Sequence, residues 1–182
     1  LRDVFDGIKE AQRAGIDSIR INSVLIKGKN DNSAEKLISL AKDSNIDVRF
    51  IELMPFTSEG QNEEKIVSGF EILKRFPFLK PIESKNEKSV ARYFRAEGFK
   101  GKIGLITPVS NNFCSECNRI RLLCDGKIRP CLGNDEESDL MPFIKDEKKL
   151  LETIRNSIFN KPANHSFNCD YGKFHSMNQI GG

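Results

Sequence analysis

An α/β fold is predicted for this 182-residue chain, and three features predict it. Helical and strand-like apolar patterns alternate with short links over residues 1–57. That order is the signature of βα units and a parallel sheet. After Pro55 the pattern changes to shorter, polar-punctuated segments, which mark residues 58–182 as a separate, small α+β portion. Within that portion, residues 111–132 (NNFCSECNRIRLLCDGKIRPCL) hold four cysteines, three of them in a C-x2-C-x13-C spacing, and a closing hairpin pattern.

The elements follow in order. Val4, Phe5, Ile8, Ala11 and Gln12 form a helical stripe, and Gly15 stops it. Residues 18–26 (SIRINSVLI) alternate and are β-branched, which is a strand pattern. A polar loop, 27–32, leads to a helix over 34–43 with Leu37, Ile38, Leu40 and Ala41 as its buried side and Asn32 or Ser33 as its cap. Residues 47–54 (DVRFIELM) form the next strand, stopped by Pro55. In such sheets ligands sit at the C-terminal strand ends, which puts Lys27 and Met54 at a candidate rim. Residues 58–63 read as a polar linker, 64–76 as a helix, and 89–94 and 101–106 as short strands. Residues 120–123 and 127–129 flank Asp125-Gly126 as a tight hairpin. Residues 146–159 form a final helix, and 161–182 a polar tail ending MNQIGG.

Composition bounds the function. The chain is 38% hydrophobic and 30% charged, as soluble globular proteins are. A net charge of +3 suits an anionic ligand and does not call for nucleic acid. There is no apolar run of transmembrane length and no signal-peptide pattern, so no membrane partner and a cytoplasmic location are expected. Five cysteines, three of them clustered, favour metal or redox chemistry over a disulfide framework.

Cys114, Cys117 and Cys131 stand in a C-x2-C-x13-C spacing. Three thiolates can hold a metal or iron–sulfur centre and leave one position open for substrate. The plainer readings are buried structural cysteines, or a zinc ribbon completed by Cys124, Cys169, His165 or His175. Cys124 reads as a core residue, and Cys169, His165 and His175 as incidental tail or surface residues. Arg119 and Arg121 lie two apart, so on a strand they share one face beside the cysteines. Their planar forks suit phosphate; the plain alternative is a solvated strand face. Lys27 is an anion donor or a loop lysine. Arg49 faces a ligand or pairs with a carboxylate, and Met54 packs on a ligand or in the core. Gly181 and Gly182 let bare backbone enter a tight space, or simply fray.

Four segments together (INSVLIKGKND, VRFIELMPF, FCSECNRIRLLCDGKIRPCL and MNQIGG) span residues 21–182. They resemble the C-terminal part of the GTP 3′,8-cyclases of molybdenum-cofactor biosynthesis, which are radical S-adenosylmethionine enzymes. The resemblance implies the last βα units of an incomplete radical-SAM barrel over 1–57. It implies an auxiliary-cluster and GTP-binding domain with a double-glycine tail over 58–182. It further implies that Cys114, Cys117 and Cys131 hold an auxiliary 4Fe–4S cluster whose free iron binds the guanine of GTP. Arg119, Ile120 and Arg121 match the GTP-contacting stretch, Lys27 a GTP-contacting lysine, and Arg49 a residue reaching the triphosphate. Met54 matches a methionine that contacts S-adenosylmethionine, and Gly181 and Gly182 a tail needed for activity.

The family's first cluster uses a C-x3-C-x2-C run, and these 182 residues contain none. The expectation is therefore a chain that binds GTP but does not generate the radical by itself. The intact enzyme would carry a second 4Fe–4S cluster and S-adenosylmethionine. It would pass its product to a cyclic pyranopterin monophosphate synthase, and a homodimer is a further expectation. A zinc-binding interaction module, and another radical enzyme with an auxiliary cluster, are the competing readings.

Overall fold

A computed structural model describes residues 2–83, 89–165 and 167. The chain divides into two compact units, Leu1–Leu53 with Glu64–Asn111 and Met54–Glu63 with Asn112–Gly182. The sequence pattern divides after residue 57; in the structure, strands C-terminal to that line pair into the first unit's sheet.

The first unit is a mixed five-stranded sheet with helices, an α/β arrangement. Its strands are β1 (Ile19–Val24), β2 (Ile46–Ile51), β3 (Lys80–Pro81), β4 (Arg92–Arg95) and β5 (Ile103–Ile106). Their spatial order is β1-β2-β5-β4-β3. β1, β2 and β5 are parallel, while β4 and β3 close one edge antiparallel. β3 carries no alternating pattern, being only two residues with a proline, and sequence offered no sign of it.

Among the described residues three α-helices belong to this unit: α1 (Arg2–Arg13), α2 (Ala34–Asp43) and α3 (Gly69–Arg75). α2 buries Ala34, Ile38 and Ala41 among Ile46, Val48, Phe50 and Ile103. α3 adds Ile72 to the same core, followed by Phe76 and Leu79. α1 forms where its stripe predicts, but none of its residues is buried; Val4 and Phe5 are exposed and only Ile8 packs on the core.

Several boundaries differ from expectation for identifiable reasons. α3 begins at Gly69 because Ser68 forms a capping box with Glu71, each side chain accepting from the other's backbone N–H. Residues 63–65 are a 3-10 turn instead. α2 has no side-chain cap from Ser33. The acceptors ahead of it turn back to the loop: Asn30 Oδ1 takes the Ile26 N–H at 2.7 Å and Asp31 Oδ1 the Gly28 N–H at 2.8 Å. β1 and β2 end at Val24 and Ile51, so Lys27 and Met54 each lie three residues past a strand.

Beyond β2, Glu52 is buried at 3% exposure and holds three segments together. Its carboxylate accepts from the N–H of Gly69 (3.1 Å), Val109 (3.1 Å) and Ser110 (2.9 Å), and from the Ser110 hydroxyl. It thereby fixes the exit of β2, the start of α3 and the chain after β5. Buried polar groups persist only when satisfied, and here one carboxylate satisfies four donors.

The second unit holds a three-stranded antiparallel sheet, β6 (Arg121–Leu122), β7 (Lys127–Arg129) and β8 (Ser138–Asp139), in that order. Helix α4 (Glu147–Phe159) packs on β7 and β8, with Asp146 Oδ1 capping it at the Lys149 N–H. The predicted hairpin is present: Arg121 faces Arg129 and Leu122 faces Ile128. Gly126 turns it with φ +80, a conformation that L side chains rarely adopt. Phe167 is buried and meets Phe56 edge-on at 5.5 Å. Among the described residues no helix is long and apolar enough to cross a membrane.

Replacing Glu52 by Ala should strand up to four donors and cost at least about 2–3 kcal/mol. Urea denaturation of the intact protein measures it; an unchanged midpoint would contradict the clamp.

Candidate metal and nucleotide site

Unit two brings the three predicted cysteines onto one short path. Cys114 opens a 3-10 turn, Cys114–Glu116, and Cys117 closes it by donating its N–H to the Cys114 carbonyl at 3.2 Å. Cys131 follows β7, which the hairpin returns toward the start of β6. All three are half-buried free thiols. Burial pushes the Cys131 thiol up; the Gly133 N–H opposes this, Cys114 pushes the same way, Lys161 opposes, and Cys117 adds to the rise. The three thiols and one ammonium thus share a single electrostatic neighbourhood. Cys124 is exposed, not core as expected: it lies at the hairpin turn, where alternation no longer buries a side chain.

The donor set fits an iron–sulfur cluster. Soft thiolates without carboxylates are the ligands such clusters take. Among the described residues no group of three or more His, Cys, Asp or Glu surrounds a single ion position. A polynuclear cluster asks for less convergence, since each thiolate binds a different iron. Arg129 adds a second observation. Two residues before Cys131, it is 1% exposed, and its Nη1 is a buried donor with no acceptor. Its other nitrogens serve Glu137, Nε at 3.0 Å and Nη2 in a short charge-assisted contact. A leftover buried donor at this place suits a sulfide or an anionic ligand.

The arginines sit differently from the strand-face expectation. β6 starts only at Arg121, so Arg119 lies in the loop before it and is exposed, while Arg121 is half-buried. Burial, then Arg119, then Arg129 lower the Arg121 guanidinium from its usual range, so three positive groups crowd together. Ile120, between them, is exposed.

Lys27 and Arg49 belong to the first unit. Lys27 Nζ pairs with Glu71 Oε1 at 2.9 Å, on a surface where such pairs contribute little. Arg49 lies on the sheet face opposite Val48 and Phe50 and donates Nε to Asn22 Oδ1 on the adjacent strand at 2.8 Å. Gly104 faces Arg49 across β5; a Cβ there would stand 2.8 Å from Arg49 Cγ, so glycine makes room for the arginine stem. Arg20 and Asp47 form a 4.0 Å ion pair on neighbouring strands. Met54 is half-buried in the second unit, its carbonyl accepting the Phe56 N–H at 2.8 Å. His165, in the predicted tail, is half-buried against Phe167, with ring centroids 4.2 Å apart. Gly181, Gly182, Cys169 and His175 lie outside the described residues.

Sequence reasoning passed over Arg129, Glu137 and Lys161. Arg129 stood within the quoted motif, two residues from a cysteine, and that spacing could have flagged it. Lys161 had no local signal; only the tertiary fold brings it to Cys117.

The chain thus pairs an α/β unit with a unit that carries three half-buried cysteines and crowded arginines. The family described as Molybdenum Cofactor Synthesis C matches residues 46–167, and the chain belongs to it. It is 41% identical to a GTP 3′,8-cyclase of Peptoclostridium acidaminophilum, aligning over 100% of this chain and 57% of that protein. It is 39% identical to a GTP 3′,8-cyclase of Alkaliphilus oremlandii (100% of this chain, 58% of that one) and 38% identical to one of Listeria monocytogenes (100% and 59%). The chain therefore spans a little over half the length of these curated relatives.

Two outcomes follow from these contacts. Glu137→Ala should cost about 3 kcal/mol in urea denaturation, because it leaves a buried guanidinium uncompensated; a loss below about 1 kcal/mol would place the pair among ordinary surface contacts. The Lys27 hydrogen bond, then that of the Ser68 backbone, lower the Glu71 carboxyl. Its contribution is present above the usual carboxylate range and is lost as pH falls through the lower folded value. Lys27→Met should move the Glu71 titration upward by NMR, and an unmoved curve would contradict the pairing.

Proposed function

We propose that this chain is the C-terminal part of a radical S-adenosylmethionine GTP 3′,8-cyclase. Such an enzyme converts GTP to (8S)-3′,8-cyclo-7,8-dihydroguanosine 5′-triphosphate in molybdenum-cofactor biosynthesis. The observation that carries the reading is that Cys114, Cys117 and Cys131 act on one another electrostatically and lie in the same unit as the neighbouring Arg119 and Arg121, in a chain of this family. Relatives named GTP 3′,8-cyclase along the whole chain support it.

In this reading the three thiolates hold an auxiliary 4Fe–4S cluster. When bound, that cluster supplies an iron with an open position for the guanine. This chain's own residues do the rest. Arg119 and Arg121, with Ile120 between them, grip the nucleotide from beside the cysteines; guanidinium forks suit its phosphates and carbonyl. Arg129 adds positive potential behind them. Arg49, on the sheet face away from the helices with Arg20 and Asn22 on the neighbouring strand, reaches for the triphosphate. Such a polar open face is what a strand lining a barrel interior would carry, which supports a partial radical-SAM barrel over the first βα units. Lys27 is held by Glu71 and would exchange that partner for phosphate. Met54 would contact S-adenosylmethionine, and the resemblance alone assigns Gly181 and Gly182, which lie outside the described residues, a role in activity. The part of these residues would be to bind and orient the nucleotide, while the cofactors of the intact enzyme would supply the radical chemistry.

Radical generation belongs to a C-x3-C-x2-C cluster, a run that does not occur in these residues. The chain alone is therefore expected to bind GTP without cleaving S-adenosylmethionine, and measurable 5′-deoxyadenosine from it would overturn that division of labour.

Arg119→Ala and Arg121→Ala should each remove about 1.5–3 kcal/mol of GTP binding, roughly tenfold or more in affinity. Calorimetric titration of the reconstituted protein checks this. Unchanged affinity in the double variant would favour a zinc module or an enzyme with another substrate.

A further inference from the structure

Lys161 lies one residue past the C-cap of α4 and just before Pro162. Its backbone N–H bonds the Ile158 carbonyl at 3.2 Å, so the helix end holds its main chain. Its side chain reaches back across 44 residues of sequence to the cysteine turn. There the ammonium donates to the Cys117 carbonyl at 2.9 Å, to Cys117 Sγ at 3.3 Å and to the Arg119 carbonyl at 2.8 Å. An ammonium has three N–H donors, and all three are used. A lysine that merely covers surface would leave its head in water. This one is half-buried and directed wholly at the segment 117–119.

Those contacts have a specific consequence. Cys117 and Arg119 are separated only by Asn118, in a stretch with no strand or helix pairing of its own. Without a tether, the cysteine and the arginine could rotate independently. Bonds to both carbonyls fix the Cys117–Asn118 and Arg119–Ile120 peptide planes, and so restrict the direction in which the Cys117 and Arg119 side chains leave the chain. The N–H to sulfur adds a second effect. A positive donor on a cluster thiolate favours the electron-rich, reduced state, since hydrogen bonds to sulfur and net charge set cluster potentials.

We propose that Lys161 is a positioning residue for this site, its ammonium locking Cys117 and Arg119 into one geometry and holding the thiolate sulfur by an N–H donor. The proposal rests on the reading of the three cysteines as cluster ligands and of Arg119 as a nucleotide contact. It adds a functional role for the end of α4, which supplies neither a ligand nor a substrate contact.

The test uses the intact protein, reconstituted anaerobically with iron and sulfide, as wild type, Lys161→Met and Lys161→Arg. Three quantities are read: iron content, the midpoint potential of the auxiliary cluster by EPR-monitored titration, and GTP affinity. Lys161→Met should lower the midpoint potential and weaken GTP binding by roughly 10- to 100-fold, the range seen when an outer partner of a metal ligand is lost. Lys161→Arg keeps a charged donor and should recover most of the potential while recovering the affinity only in part. A merely structural role would leave the potential unmoved in every variant that folds. If Lys161→Met matches wild type in both potential and affinity, the inference is wrong and the functional reading stands. If wild type itself holds neither iron nor GTP, the functional reading fails first and takes the inference with it.

Discussion

The loop that carries Cys131 is closed at its two ends by a buried ion pair, and the cysteine-bearing unit depends on that closure. Arg129 ends β7, Glu137 precedes β8, and the seven residues between them include the third cysteine. Removing a guanidinium from water is costly unless a carboxylate replaces the solvent. With Glu137 in place, the chain leaves β7 and returns to β8 by a fixed route, and Cys131 stands beside the Cys114–Cys117 turn. Lys127 also leans on Glu137, at 3.6 Å, so one carboxylate serves two cations of the same strand. The β7–β8 connection that carries the third cysteine is thereby tied at both ends by one charge arrangement.

The first unit solves a similar problem with a single anion. Glu52 gathers donors from α3 and from the chain after β5, which leads on in sequence to the cysteine run. The apolar side of the sheet is a conventional core under α2 and α3. The other side keeps Arg20, Asn22, Asp47 and Arg49 in cross-strand contact, with Gly104 leaving room for Arg49. Burying one face and keeping charge on the other is how a strand can serve stability and ligand binding at once.

Local signals made much of this legible. Periodicity located α1, α2, β1 and β2 within a few residues, because each carries a clean apolar repeat. Asp125-Gly126 announced the hairpin because the turn requires a glycine at positive φ. The cysteine spacing and the adjacent arginines mark the candidate site in the sequence itself. What escaped was non-local. Glu52 sits in an apolar strand pattern where its burial has no sequence mark, and its partners are 17 and 57–58 residues away. β3 and β8 are two-residue strands defined only by their neighbours. The start of α3 was set by a capping box four residues inside the predicted helix, where hydrophobic pattern alone could not see it. Lys161 became meaningful only through tertiary contact.

In the proposed function three thiolates hold a cluster with a position open to the nucleotide. Anaerobic reconstitution with iron and sulfide, followed by metal analysis and an absorption spectrum with and without GTP, tests it most directly. About four irons per cluster-binding unit, with a charge-transfer spectrum that GTP perturbs, is the predicted result. One tightly held zinc, no iron uptake and no response to GTP would contradict the account.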